Sequence, residues 1–254
     1  MKKTTTIFTT VLVGSLVAAY AFAAGDAKHP RQMHWAFDGI FGHVDKPSAQ
    51  RGFQVYKEVC AACHGLKRIA FRNLTEIGFS EAEVKSLAAS YQVVDGPNDD
   101  GDMFERAGKP SDYFPEPYAN EQQARATHNG AYPPDLSLII KARQDGANYV
   151  HSLLTGYEEA PSDMQIGEGM SYNPYFAGGQ IAMVSPLSDE LVSYEDGTQA
   201  SVEQMSKDVV TFLQWAAEPE MQARKQMGLK VLVFLAIFTG FMYLAKRNLW
   251  RKLH

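Results

Sequence analysis

Cys60 and Cys63 are the only cysteines of the 254-residue chain, and His64 follows them directly in the stretch VCAACHG. Side chains three apart share a helix face, so both thiols and the imidazole can address one object. Cys-x-x-Cys-His is the attachment signature of a c-type haem. In that chemistry the thiols add to two vinyl groups as thioethers, and the imidazole meets the iron from the proximal side. Three other uses of such a pair compete with it. A thioredoxin-like redox pair calls for a βαβ setting that the flanking sequence lacks. A zinc site calls for four ligands, and no further cysteine exists to complete it. A disulfide suits an exported chain, but a bridge across so short a loop stabilises little. Export and the adjacent histidine favour haem.

A low-spin electron carrier needs a sixth iron ligand, commonly methionine. Met227 and Met242 lie in or beside a long apolar run, Met205 lies on the core face of an amphipathic segment, and Met221 lies just beyond it. Met103, Met164, Met170 and Met183 remain as loop candidates. We favour Met183, which sits in GGQIAMVSPL between Gly178-Gly179 and Pro186, just before the final amphipathic helix. Among the histidines, His128 beside the Asn129-Gly130 turn is the strongest rival.

The chain is built to hold these groups outside the cytoplasm. Lys2 and Lys3, an uncharged apolar run and Ala21-Phe22-Ala23 form a secretory signal over residues 1–23. Residues 227–245 are apolar except for Lys230, long enough to cross a membrane. Lys246, Arg247, Arg251 and Lys252 follow, which puts the tail 246–254 on the cytoplasmic side and the haem domain, residues 24–226, on the periplasmic side. That domain holds 17 Lys/Arg against 29 Asp/Glu, a net charge of −12. Such a surface suits a basic protein partner or solubility alone, which charge does not separate, and it does not suit nucleic acid. The acidic stretch 95–105 and Glu158-Glu159 are candidate docking patches.

The periodicity predicts helices over 46–64, 80–90, 120–128, 137–143, 147–155 and 202–217, with few strand patterns. Ser80 with Glu83 reads as a capping box. Residues 95–121 and 158–188, rich in Gly and Pro, read as two long loops. The fold class is mainly α.

Several stretches carry a family resemblance: RGFQVYKEVCAACHGL (51–66), ARATHNGAYPPDLSLIIKAR (124–143), YVHSLLTGY (149–157), YNPYFAGGQIAM (172–183) and FLQWAAEPEMQARKQMG (212–228). They are similar to cytochrome c1, the haem-c subunit of the cytochrome bc1 complex, over nearly all of 34–250. The resemblance implies a class I cytochrome c-like domain with long loop insertions and one C-terminal transmembrane helix. It implies one haem c on Cys60 and Cys63, with His64 and Met183 as iron ligands. Pro134 would pack near the haem, and Arg143 and Tyr149 would lie near a propionate. The implied partners are cytochrome b, the Rieske iron–sulfur protein and a cytochrome c acceptor, in a dimeric complex of the bacterial inner membrane. The chain itself would carry electrons and do no chemistry on quinol. One departure is Val184, where the family often has proline after the ligand methionine; it removes a rigid φ from that loop. From the residues alone, another membrane-anchored monohaem cytochrome, an oxidase or reductase subunit or a haem sensor, stays open.

Overall fold

The computed structural model describes residues 27–251, so the export signal at 1–23 lies outside the described residues. In chain order the elements are α1 (Lys46–Val55), a 3₁₀ segment (Phe71–Ile77), α2 (Glu81–Ala89), strands β1 (Gln92–Asp95) and β2 (Phe104–Ala107), and α3 (Glu121–Thr127). Then come α4 (Ile139–Ala142), α5 (Gly146–Leu154), strands β3 (Ser171–Tyr172) and β4 (Gln180–Ile181), α6 (Val202–Ala217) and α7 (Met221–Trp250). The chain is mainly helical.

The core is organised by α1 crossing α6. Ser201 caps α6 by accepting from the Gln204 N–H at 3.2 Å, and Pro47 lies in the first turn of α1. Both are residues that favour a helix start. The two backbones touch at Gly52: a Cβ there would stand 2.0 Å from the Asp208 carbonyl oxygen. That approach lets Phe53 and Tyr56 reach Phe212, with ring centroids 5.5 and 5.7 Å apart. All three rings are buried, each contributing about 1.5–3 kcal/mol by leaving water. A polar bond set pins the same crossing. Arg51 donates through Nε and Nη2 to the buried Asp208 carboxylate at 2.9 and 3.0 Å, and Ser48 Oγ donates to it at 2.7 Å. Removing one partner of such a buried pair typically costs several kcal/mol, because the other charge is stranded.

Helices α4 and α5 pack against the other side of α6. At that contact His151 is fully buried, with Nδ1 2.9 Å from Ser206 Oγ and Nε2 3.1 Å from Glu203 Oε1. Burial lowers its pKa, and Glu203 offsets this only in part. The Ser80–Glu83 capping box of α2 is present, with N–H to carboxylate 2.7 Å and N–H to hydroxyl 3.2 Å.

Two features differ from the sequence expectation. The helix over 46–64 keeps α geometry only to Val55; residues Tyr56–Cys60 wind more widely as a π turn. Both long loops also contain short hairpins. β1 pairs antiparallel with β2, Gln92 opposite Ala107 through Asp95 opposite Phe104, and β3 pairs with β4. The first hairpin is mostly exposed on both faces, so its residues carry no alternating apolar pattern to read. Instead Arg106 ties it together, pairing with both Asp95 and Asp112. The final helix runs from Met221 to Trp250, and beyond Met221 it has no buried residue. Its apolar stretch has mean hydropathy 2.0 and fits a transmembrane anchor.

Two outcomes follow. An open helical site gains about 1 kcal/mol from Gly→Ala, but at Gly52 the added Cβ must push two helices apart. Gly52→Ala should therefore destabilise by about 1–3 kcal/mol, read as a lower denaturant midpoint; an unchanged or raised midpoint would refute the close crossing. His151 resists protonation when folded and accepts it near pH 6.5 when unfolded. Stability should thus be fully present above about pH 6.5 and decline as pH falls below it. His151→Gln should flatten the stability difference between about pH 7.5 and 5.5; an equal pH dependence in both proteins would contradict the assignment.

Candidate haem site

The motif sits where α1 ends. The π turn closes with the Ala61 N–H on the Tyr56 carbonyl at 2.8 Å, and the next turn closes with the Cys63 and His64 N–H groups on the Cys60 carbonyl at 3.1 and 2.9 Å. The buried Tyr56 hydroxyl donates to the His64 carbonyl at 3.1 Å. So the core helix that crosses α6 also fixes the backbone of the motif. π turns are rare and frequent at functional sites.

A second segment is stitched to the first. The Leu136 N–H donates to the Gly65 carbonyl at 2.9 Å. The Asp135 carboxylate accepts from the Lys67 and Ser137 N–H groups at 2.9 and 3.0 Å, and Ser137 Oγ accepts from the Arg68 N–H at 3.1 Å. This stitching brings the Pro134 carbonyl 2.8 Å from His64 Nδ1. A carbonyl can only accept, so Nδ1 carries the proton and Nε2 keeps its lone pair. Burial lowers the His64 pKa, favouring the neutral ring that can bind a metal.

Cys60 and Cys63 are both free, half-buried thiols. Burial, with the Cys63 sulfur adding to it, pushes Cys60 up to about 12, so its hydrogen stays on at neutral pH. Among the described residues no three His, Cys, Asp or Glu side chains gather as a metal-ion cage, which leaves the zinc alternative without a ligand set there. Two S–H groups and one imidazole with a free Nε2 fit a macrocycle that takes two carbon–sulfur bonds and one metal bond.

Met183 is half-buried, two residues after β4. Its carbonyl accepts from the Tyr157 hydroxyl at 3.0 Å. The loop around it is docked on α5 by the fully buried Asn173, whose Nδ2 donates to the Leu153 carbonyl at 2.8 Å. Arg143, exposed at the end of α4, lies near enough to Tyr149 to oppose the rise in pKa that burial gives that phenol. Tyr157 is likewise raised by burial, with the nearby Tyr149 phenol adding to the rise. Arg143, Tyr149, Tyr157 and Met183 thus form a second group, joined to Pro134 and the motif by the single turn of α4.

Most rival ligands are engaged or elsewhere, while Met164 and Met170 share the half-burial of Met183. His128 Nε2 is 2.5 Å from the Tyr118 hydroxyl. Met205 and Met221 are in the core, and Met103 is 60% exposed near the tip of the first hairpin. Met164 and Met170 are half-buried in the loop before β4. Sequence reasoning missed Tyr157, Tyr118 and Asn173. Only their place in the YVHSLLTGY and YNPYF stretches pointed toward two of them, since a phenol bonded to a backbone carbonyl leaves no trace in spacing.

A family model described as the Cytochrome C1 family matches residues 35–253. The chain is 46% identical over 267 residues to "Cytochrome c1" of Rhodospirillum rubrum, covering 96% of this chain and 98% of that one. It is 52% identical over 229 residues to "Cytochrome c1 1, heme protein, mitochondrial" of Arabidopsis thaliana, covering 89% of this chain and 75% of that one. It is 50% identical over 266 residues to "Cytochrome b/c1" of Bradyrhizobium diazoefficiens, covering 96% of this chain but 38% of that longer protein. With the motif, the fold and nearly the whole length in agreement, the chain belongs to the cytochrome c1 family.

Proposed function

We propose that this chain is the haem-bearing electron-transfer subunit of a cytochrome bc1 complex. It would accept one electron from the Rieske iron–sulfur protein and pass it to a cytochrome c, while quinol oxidation occurs on cytochrome b. The observation that carries the reading is His64 Nδ1 at 2.8 Å from the Pro134 carbonyl, beside two free thiols.

Haem, when bound, supplies a one-electron couple. The residues do the rest. Cys60 and Cys63 would hold the haem as thioethers, each S–H adding sulfur to one vinyl carbon and hydrogen to its neighbour, which would consume no outside oxidant. His64 Nε2 would bind the iron, while the Pro134 carbonyl holds the ring's orientation through Nδ1. The Met183 sulfur would be the second iron ligand, and Met/His ligation raises the potential. Tyr157 holds the Met183 backbone, a restraint that stands in for the absent proline at Val184. Arg143 and Tyr149 would hold a propionate, where a guanidinium gives charge-assisted hydrogen bonds. Residues 1–23 export the chain and are removed, 24–226 form the periplasmic domain, 227–245 span the inner membrane and 246–254 remain in the cytoplasm. Asp99, Asp100 and Asp102, exposed on the first hairpin loop, and Glu158-Glu159 offer the negative charge that speeds encounter with a basic carrier.

Tagged full-length protein purified in mild detergent should bring cytochrome b and the Rieske protein with it, in a dimeric complex that reduces cytochrome c with quinol. In that complex Met183→Leu should lower the haem midpoint potential and admit carbon monoxide to the reduced iron. Tyr157→Phe should lower the potential less and still exclude carbon monoxide. Purification of the chain alone would refute the complex, and an unaltered potential in Met183→Leu would refute the ligand.

A further inference from the structure

We propose that the Gly39–Gly42 turn is a second membrane contact, with Ile40 and Phe41 entering the interfacial layer of the leaflet that α7 enters first. Phe41 and Ile40, at 78% and 73% exposure, are the most exposed large apolar side chains among the described residues. They exceed even those of the transmembrane helix. Water is a costly environment for two such adjacent side chains, and exposed apolar pairs of this kind mark contact surfaces.

The turn is firmly built. Its root is Phe37, buried in the core and stacked on Trp35 at 5.3 Å. The His43 N–H donates to the Ala36 carbonyl at 2.9 Å, and the Trp35 N–H donates to the Asp38 carboxylate at 2.9 Å. Gly39 takes φ +67°, the left-handed conformation that favours glycine.

What covers the turn is indicated by its attachment. Lys225, the fifth residue of α7, donates from Nζ to the Phe37 carbonyl at 2.7 Å and to the Gly42 carbonyl at 3.3 Å. Both ends of the turn therefore hang on the membrane helix. Lys225 precedes Met227, where the exposed apolar surface begins, by two residues, about 3 Å of helix rise. A lysine at this level covers apolar surface with its stem and keeps its ammonium polar; here the two carbonyls receive it. The apolar tip is thus continuous with the lipid-facing surface of α7. Interfacial burial of one apolar face is a recognised mode of membrane contact. Two contacts rather than one would limit how far the haem domain can swing about α7.

The inference rests on α7 spanning the membrane, and one experiment separates the two. Nitroxide labels at Phe41→Cys and, separately, Phe238→Cys are placed in the full-length protein within its complex. The complex is reconstituted in phosphatidylethanolamine–phosphatidylglycerol liposomes, and signal from the parent chain is subtracted. Power saturation then compares relaxation by oxygen, which partitions into lipid, with relaxation by a water-soluble nickel chelate. Oxygen should dominate at both positions. Nickel dominance at 41 with oxygen dominance at 238 would overturn the turn's insertion alone. An immobile label at 41 reached by neither reagent would replace lipid with a partner subunit, and also overturn it. Nickel dominance at 238 would overturn the membrane span itself.

Discussion

The contact of Gly52 with the Asp208 backbone is the constraint on which the rest depends. Only a residue without a Cβ lets α1 and α6 approach this closely, and only at that distance do Phe53, Tyr56 and Phe212 share one core while Arg51 reaches Asp208 with two bonds. The end of α1 becomes the motif, and α6 follows the Met183 loop. The same crossing therefore anchors both segments from which the iron ligands are proposed to come. Dispersion and desolvation favour the crossing non-specifically. The Arg51–Asp208 pair, costly to bury and costly to break, sets its register.

Above that base, positioning passes from side-chain packing to backbone carbonyls. The Pro134 carbonyl orients His64, the Met183 carbonyl is held by Tyr157, and the Leu153 carbonyl receives Asn173. Carbonyls are useful in this role because they can only accept, so each bond fixes a tautomer or a rotamer without introducing a new charge. They also tie irregular segments whose ladder bonds would otherwise be unmade. The loops are long, but their ends are fastened at a few buried points, which leaves the acidic hairpin free to meet solvent and partners.

Much of this was legible in the residues. The amphipathic pattern of Val202–Ala217 gave α6 to the residue, and Ser80 with Glu83 gave the cap of α2, because both are local effects written within a few positions. The motif is local in the same way, and the chemistry proposed for it comes from adjacent residues. The family stretches brought Pro134, Arg143 and Tyr149 into view, and the structure puts Pro134 against His64 and Arg143 beside Tyr149. What was not legible is non-local. Tyr157 acts on a backbone atom 26 residues away, and Lys225 acts on carbonyls more than 180 residues away. The hairpin of β1 and β2 is exposed and held by Arg106, so it has no apolar alternation to reveal it. The π turn at Tyr56–Cys60 differs from an α turn by one residue per bond, a distinction that periodicity does not resolve.

If the CAACH stretch is a covalent haem attachment, the mass of the denatured full-length protein after alkylation will show it. Two thioethers predict a chain heavier than the mature polypeptide by one haem, with neither Cys60 nor Cys63 open to the alkylating reagent, before or after reduction. A polypeptide without the added mass would rule out the covalent attachment. Two alkylated cysteines would then return the motif to a dithiol, and alkylation only after reduction would return it to a disulfide.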